Sequence, residues 1–250
     1  MHYFSLTTHM YAARFGNSII ILDSVQDDYI SLIDSAADFF VKIVEGTFSF
    51  DQEKNKYKCA NEDIEELNYW IDQLLELNII QKSKNHGKAI AYPPLKPGGL
   101  HDYQWDTKPM WQPLKQTRKY QVFKTFIQLA KVHRSLKRQG IKGILETIDA
   151  TSKKNLIIPS SDQIQELVNL IDAASLLYPK KTYCLAWAAT FVILSRKKNW
   201  DSQLVIGVQA HPFYAHAWAQ VNGKVIHDDP IIAEVLSLIL QTPEDAQCLL

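Results

Sequence analysis

The chain has 250 residues, of which 46% are hydrophobic and 22% charged, and its formal net charge at neutral pH is zero. Such values are typical of a folded soluble protein with one large domain or two smaller ones, and they exclude a disordered chain. A neutral total gives no general attraction to nucleic acid or to an anionic membrane. The three cysteines cannot build a metal knuckle or a disulfide framework, which favours a reducing compartment.

The first sixteen residues lack the basic start and apolar core of a signal peptide. No apolar run approaches the ~18 residues of a membrane span. We therefore expect a cytoplasmic protein without a membrane span.

The first predicted elements form a small α+β domain, residues 1–85. β-branched and aromatic runs at 18–23 and 28–33 predict a hairpin. A helix is expected over Ser35–Glu45, with its first serine as N-cap, and a second opens at residues 61–63. A closing strand is expected at 77–83. This order resembles a winged helix.

The charge of this domain argues against DNA as its ligand. Residues 1–80 hold five Lys/Arg against fourteen Asp/Glu, whereas phosphate contacts need basic side chains. An extended peptide added to a sheet edge is the better functional hypothesis, with Ile30 and Leu32 of the hairpin and Trp70 and Leu74 of the second helix as contacts. A purely structural domain is the alternative.

Residues 86–113 hold five of the ten prolines and the Gly98-Gly99 pair, which predicts a linker. The remainder, 114–250, begins with a helix over Leu114–Arg138. Its expected apolar side is formed by Val122, Phe123, Phe126, Ile127, Leu129 and Ala130. Residues 107–145 contain ten Lys/Arg and no acid; we interpret them as a solvated face, with a binding patch as the alternative. Ile164–Leu177 is a further amphipathic helix.

Cys184 opens the apolar segment CLAWAATFVIL, and Pro179 and Thr182 before it are helix-start signals. The cysteine is therefore expected in the first turn, where free N–H groups and the helix dipole would lower the pKa of the thiol. A lone cysteine in an apolar helix is more often a small buried hydrophobe. Its function therefore has to be judged together with the strands that come after this helix.

Two strands after the helix carry a histidine and an aspartate. A strand over Gln203–Gln209 is followed by HPFYAHAWAQV, then Asn222-Gly223, then KVIHDDP, and Asn-Gly between two such runs predicts a hairpin. A two-residue turn would place His216 opposite Asp229. A three-residue loop ending in a left-handed Gly223 would instead place it opposite Asp228, and we expect this second register.

Cys184, His216 and Asp228 have the chemistry of acyl transfer. An imidazole can take the proton of the thiol and later protonate the leaving group, and a carboxylate on the far ring nitrogen fixes the tautomer. The arrangement predicts an α+β domain of papain-like or transglutaminase-like type. Trp218 is expected on the face of His216, as a wall of the site or a core residue. No spacing indicates a metal site, and Cys59 and Cys248 are interpreted as structural.

The segments YCLAWAATFVI and LVIGVQAHPFYAHAWAQVNGKVIHDDP resemble the transglutaminase-like peptidases that mature lasso peptides, the B-type proteins. The resemblance implies that Cys184 is the nucleophile, His216 the base and Asp228 the orienting acid. It also implies that residues 1–85 are a PqqD-like module that recognises the leader of a ribosomally made precursor. The partners would be that precursor and an ATP-dependent, asparagine-synthetase-like lasso cyclase. No cofactor is expected on this chain, and a requirement of the maturation system for ATP is left open.

Two other functions are compatible with these residues. A transglutaminase or an arylamine acyltransferase would use the same trio and pass the acyl group to an amine. A non-catalytic adaptor would only present the precursor to a partner enzyme. The adaptor has no need of the trio, and the acyltransferase has no need of a leader-binding module.

Overall fold

A computed structural model of the chain describes residues 2–52, 54, 56–58, 64–85, 87–92, 119–151 and 156–243. The chain divides into two compact units, Met1–Pro93 and Pro94–Leu250. The predicted linker lies outside the described residues except for 87–92. These six residues belong to unit 1, where Ala91 bridges to Ala13 and Ile90 is buried in the core.

Unit 1 contains seven strands and two helices among its described residues. The elements are β1 Tyr3–Leu6, β2 Met10–Phe15, β3 Ser18–Asp23, β4 Asp28–Ile33, α1 Asp34–Glu45, β5 Ser49–Asp51, β6 Lys56–Lys58, α2 Ile64–Glu76 and β7 Ile80–Ser83. The strands form three antiparallel sheets, with orders β2-β3-β4, β1-β7 and β5-β6. The hairpin expected over 18–33 is confirmed as β3 and β4, with Ser18 opposite Ile33.

The first helix of unit 1 differs from the sequence prediction in its start. α1 begins at Asp34 after Ile33, which has no side-chain cap, so Ser35 as N-cap is wrong. The expected start of α2 at 61–63 lies outside the described residues. The closing strand is shorter than expected and pairs with β1, a strand that was not predicted.

The core of unit 1 is formed by α1, α2 and the inner faces of the strands. Asn68 of α2 is a buried polar exception. Its Oδ1 accepts from the backbone N–H of Tyr57, and its Nδ2 donates to the carbonyls of Tyr57 and Ile64, at 2.7 to 2.8 Å. The amide therefore joins α2 to β6. The winged-helix resemblance of this unit stays a prediction.

Unit 2 contains a helical layer on an antiparallel sheet. Its elements are α3 Lys119–Ala150, α4 Ser161–Leu177, α5 Cys184–Lys197, β8 Ser202–Gln209, β9 Tyr214–Val221, β10 Lys224–Ile226, α6 Ile232–Val235 and β11 Ser237–Thr242. The sheet order is β10-β9-β8-β11. α5 contacts β8 and β9 on one side and α3 and α4 on the other. This position makes α5 the central, buried and largely apolar helix that its sequence predicts.

The long helix α3 is interrupted at Gly140, whose φ of 61° and ψ of −155° are not helical. The first part ends close to the predicted Arg138, and the second part was not predicted. The expected apolar side is only partly correct. Val122 and Leu129 are buried, but Phe123 is 60% exposed and Ile127 40% exposed. The buried side is completed by Thr125 and Gln128 instead.

The other helix predictions in unit 2 are confirmed with small shifts. α4 begins three residues before Ile164, at a capping box in which Ser160 accepts from the N–H of Gln163 and the Gln163 side chain accepts from the N–H of Ser160. Within the described ranges, no helix combines the length and the apolarity needed to cross a bilayer.

Candidate active site

Cys184 is the first residue of α5, as the helix-start signals predict. Tyr183 precedes it in an extended conformation and provides no side-chain cap. The hydroxyl of Thr182 is buried without a hydrogen-bond partner among the described residues, so this residue does not cap the helix either. The free N–H groups of the first turn are therefore left to the thiol and to whatever binds beside it.

The pKa of the Cys184 thiol differs from the expectation. Burial raises it, and the backbone N–H groups of Ala217, Leu185 and Cys184 itself lower it by less, so the net change is upward. The predicted fall is wrong because α5 packs on β9 and buries the thiol, and this burial raises the pKa by more than the helix terminus lowers it. At neutral pH the resting thiol is protonated, and it needs a base to become a nucleophile.

His216 lies on β9 next to the amide that faces the thiol. Its ring is stacked between those of Tyr214, at 6.0 Å, and Trp218, at 6.1 Å, because residues two apart share one face of the strand. Burial lowers the pKa of His216 to about 4. The imidazole is therefore neutral at pH 7 and can accept a proton.

Asp228 contacts the His216 ring at Nε2. Its Oδ2 is 2.7 Å from His216 Nε2, and the two side chains are only 3% and 1% exposed. Its Oδ1 accepts from the backbone N–H of Asp229 at 2.9 Å. Burial raises the pKa of Asp228 to about 6. With Nε2–H donated to Asp228, Nδ1 of His216 is the nitrogen that can act as base.

The hairpin reaches this contact by a different route from the predicted one. Lys224 pairs with Val221 and Ile226 with Ala219, which is the register of a two-residue turn, so the three-residue loop is wrong. The positive φ of Gly223, 72°, is confirmed, but the residue is the second of the turn and not a bulge.

A left-handed residue corrects the register beyond the end of β10. Continued in that register, the strand would place Asp229 opposite His216 and turn Asp228 to the other face. The ladder stops at Ile226, and His227 has a φ of 58°. This single change of direction brings the Asp228 carboxylate to the imidazole.

Several predicted contact residues have different environments. Trp218 is 1% exposed and lies behind His216 in a core cluster, so it supports the ring from within the domain. Ile30 and Leu32 are partly buried against the core of unit 1, and Trp70 stacks on Phe39 at 6.5 Å. Leu74 is only 2% exposed and offers a peptide almost no surface.

Two groups near the thiol were missed from the sequence. One is the Ala217 amide, which gives no sequence signal. The other is Tyr214, whose pKa burial and the neighbouring Cys184 raise to about 12, so its phenol remains a donor at neutral pH. Its position two residues before His216 could have placed it on the same face. In the described part of the chain, no three His, Cys, Asp or Glu side chains are grouped as metal ligands.

Comparisons with known proteins bear on the family of unit 2. Residues 127–237 match the model of the transglutaminase-like superfamily. The microcin J25-processing protein McjB of Escherichia coli is 30% identical over 132 residues, which are 52% of this chain and 64% of that relative. No solved structure matches. The matched residues include α5, which begins at Cys184, and the strand of His216, and we conclude that unit 2 contains a transglutaminase-like domain.

Proposed function

We propose that this protein is a cysteine peptidase of lasso peptide biosynthesis, which binds a ribosomally made precursor, removes its leader and supplies the core peptide to a cyclase. The observation that carries the proposal is the buried His216–Asp228 hydrogen bond beside a thiol at a helix N-terminus. The similarity to a protein whose name describes microcin J25 processing supports the peptide substrate.

In the first half-reaction, Nδ1 of His216 takes the proton of Cys184 as Sγ attacks the carbonyl carbon of the scissile bond. The C–S bond forms while the carbonyl π electrons move to oxygen, and the N–H of Cys184 is the candidate donor to that oxyanion. Collapse of the intermediate breaks the C–N bond. The leaving amine takes the proton from His216 and departs as the N-terminus of the core peptide.

In the second half-reaction, water attacks the thioester. His216 takes a proton from the water and returns it to the leaving sulfur, and the leader departs with a free carboxyl group. Throughout, Asp228 accepts Nε2–H, which keeps the proton off Nδ1 in the resting state and stabilises the transient imidazolium. The stacked rings of Tyr214 and Trp218 restrict rotation of the imidazole away from this hydrogen bond.

The leader is proposed to bind unit 1 by strand addition. Among the described residues β4 pairs with β3 alone, so its other edge is available to an extended peptide. Ile30, Leu32 and Trp70 would contact alternate leader side chains. The chain itself uses no cofactor in this scheme, and ATP is consumed by the cyclase that closes the freed amine onto a carboxyl side chain.

The test is mass spectrometry of a precursor peptide incubated with the wild-type protein and with Cys184→Ala. We expect cleavage at one bond by the wild type alone, with precursor binding retained by the variant. Uncut precursor in both reactions, with the cyclase and ATP also supplied, would contradict the peptidase proposal. An added amine distinguishes acyl transfer, because a transferase would release the leader as an amide instead of an acid.

Leader binding is tested separately by the affinity of a labelled leader peptide for Leu32→Glu. A charge at the edge of β4 should weaken binding at least tenfold. Leu77→Glu is the matched control, since Leu77 is 60% exposed and lies outside β4. Equal affinities of the two variants would place the leader site elsewhere.

A further inference from the structure

The left-handed conformation of His227 requires a physical reason. A non-glycine residue in this region is uncommon and sterically disfavoured, although histidine, like asparagine and aspartate, occurs there more often than most residues. Here the residue directly precedes the carboxylate that contacts His216. Any relaxation of His227 toward an extended backbone would turn Asp228 to the opposite face.

The side chain of His227 lies in a buried contact that can hold this conformation. Its ring stacks on Trp187 at a centroid distance of 4.9 Å and an interplanar angle of 19°. Its Nε2 is 3.4 Å from Oδ2 of Asp172, and the two side chains are 10% and 9% exposed. Neither of these two atoms has a hydrogen-bond partner among the described residues, so the contact between them is electrostatic.

Asp172 and Trp187 are in turn held together. The indole Nε1–H of Trp187 donates to Oδ1 of Asp172 at 2.8 Å. Burial raises the pKa of Asp172, while His227 and the indole N–H lower it. Trp187 follows Cys184 by one turn of α5, and Asp172 lies on α4. The contact therefore joins the nucleophile helix, the neighbouring helix and the turn before the acid.

We propose that His227 is a positioning residue of the peptidase: its contacts with Asp172 and Trp187 hold the left-handed turn that directs Asp228 onto His216. The proposal rests on the function proposed above for Cys184, His216 and Asp228. It assigns a role to a second imidazole, whose described contacts are with Trp187 and Asp172.

The first variant is His227→Gly, which accepts the backbone conformation but provides no ring to fix it. Because a displacement of about 1 Å can cost about a hundredfold in rate, we expect kcat to fall roughly 10- to 100-fold with KM within twofold. Asp172→Asn should act in the same direction. His227→Asn should recover part of the loss, since asparagine favours the left-handed region.

The matched control is Asn222→Gly. Asn222 is also left-handed, with a φ of 50°, and occupies the exposed turn at the other end of the same hairpin. Its backbone N–H bond to Asp201 is kept by glycine. We expect wild-type kcat and KM from this variant.

A second readout is independent of the peptide substrate. The alkylation rate of Cys184 by iodoacetamide, followed by peptide mass spectrometry across pH 5 to 9, reports how well His216 and Asp228 activate the thiol. We expect slower alkylation at pH 7 in His227→Gly and Asp172→Asn, at temperatures where circular dichroism shows both folded. A merely structural role would lower thermal stability and leave this profile unchanged.

The outcomes separate the two proposals. Wild-type kcat and a wild-type alkylation profile in both variants would overturn the role of His227. If His227→Gly does not fold, the kcat and the alkylation profile of Asp172→Asn and His227→Asn test the role of His227 instead. If the wild-type protein cuts no precursor, the peptidase proposal fails, whereas the alkylation profiles still decide whether His227 positions Asp228.

Discussion

Replacing Asp228 by asparagine separates the role of the carboxylate in catalysis from its effect on stability. The side chain is 3% exposed, and Oδ1 accepts a backbone N–H from Asp229 while Oδ2 faces His216 Nε2. An asparagine oxygen should keep the backbone hydrogen bond, which turns the amide NH₂ group toward Nε2. Nε2 must then accept, so the imidazole proton moves to Nδ1 and blocks the base.

The expected catalytic effect of Asp228→Asn is large. The wrong tautomer in the analogous serine triad costs about 10⁴-fold in kcat, and we expect a loss of similar order here with little change in KM. Precursor cleavage followed by liquid chromatography and mass spectrometry measures it. Asp229→Asn is the control, because that exposed neighbour contacts the backbone of Ile231 and not His216.

The same substitution should increase stability at alkaline pH. The pKa of Asp228 rises from 3.8 to about 6 in the folded protein. At ~1.4 kcal/mol per pKa unit, the ionised carboxylate therefore destabilises the fold above pH 6 by up to ~3 kcal/mol relative to a neutral group. We expect the free energy of unfolding of Asp228→Asn to exceed that of the wild type by about 1–3 kcal/mol at pH 8.

This stability difference should disappear below about pH 4, where the carboxyl is protonated in both the folded and the unfolded state. His216 contributes with the opposite sign, because its pKa is lowered to about 4 and stability is lost as pH falls through its ordinary value of 6.5. Urea unfolding of the two proteins at matched pH measures the difference between them. A variant within tenfold of wild-type kcat, or less stable at pH 8, would refute the reasoning.

Three further predictions concern other measurements on the same chain. The kcat/KM of the wild type should fall as pH drops through about 6, because a protonated Asp228 no longer accepts the imidazole N–H; a pH–rate profile that stays flat from pH 8 to 5 would contradict this. Gly207→Ala should destabilise unit 2 by roughly 1–3 kcal/mol and reduce kcat, since the new Cβ would lie 2.7 Å from the ring of Trp218; thermal unfolding and cleavage assays measure the two effects. Asn68→Ala should lower the free energy of unfolding of unit 1 by roughly 2–4 kcal/mol, because it leaves the N–H and carbonyl of Tyr57 buried without their hydrogen bonds. An unchanged urea-unfolding curve would contradict this prediction.

The sequence was sufficient for features set by local chemistry. The hairpin over 18–33, the start of α5 at Cys184 and the turn at Asn222-Gly223 follow from β-branched runs, a helix-start signal and a residue pair that favours positive φ. Each depends on residues a few positions apart. The pairing of β1 with β7 was missed because these strands come from opposite ends of unit 1 and both are short.

The register before Asp228 could not be predicted either, because it also depends on contacts between residues far apart in the chain. Histidine occurs in the left-handed region more often than most residues, but the residue type alone does not fix that conformation at position 227. The contacts that hold His227 come from α4 and α5, far earlier in the chain. The pKa of Cys184 was predicted with the wrong sign because the helix terminus is visible in the sequence, whereas the burial beneath β9 is not. Both errors concern long-range packing.

The turn of the β9–β10 hairpin has a consequence for how such sites diverge. A two-residue turn followed by a left-handed residue and a three-residue turn followed by an extended residue deliver a carboxylate to the same imidazole. Recruiting Val221 into the turn, with no change in chain length, would shift the register by one residue and compensate for loss of the left-handed conformation at His227. Homologous proteins could exchange these two solutions while the spacing between base and acid and the hydrogen bond between them are both preserved.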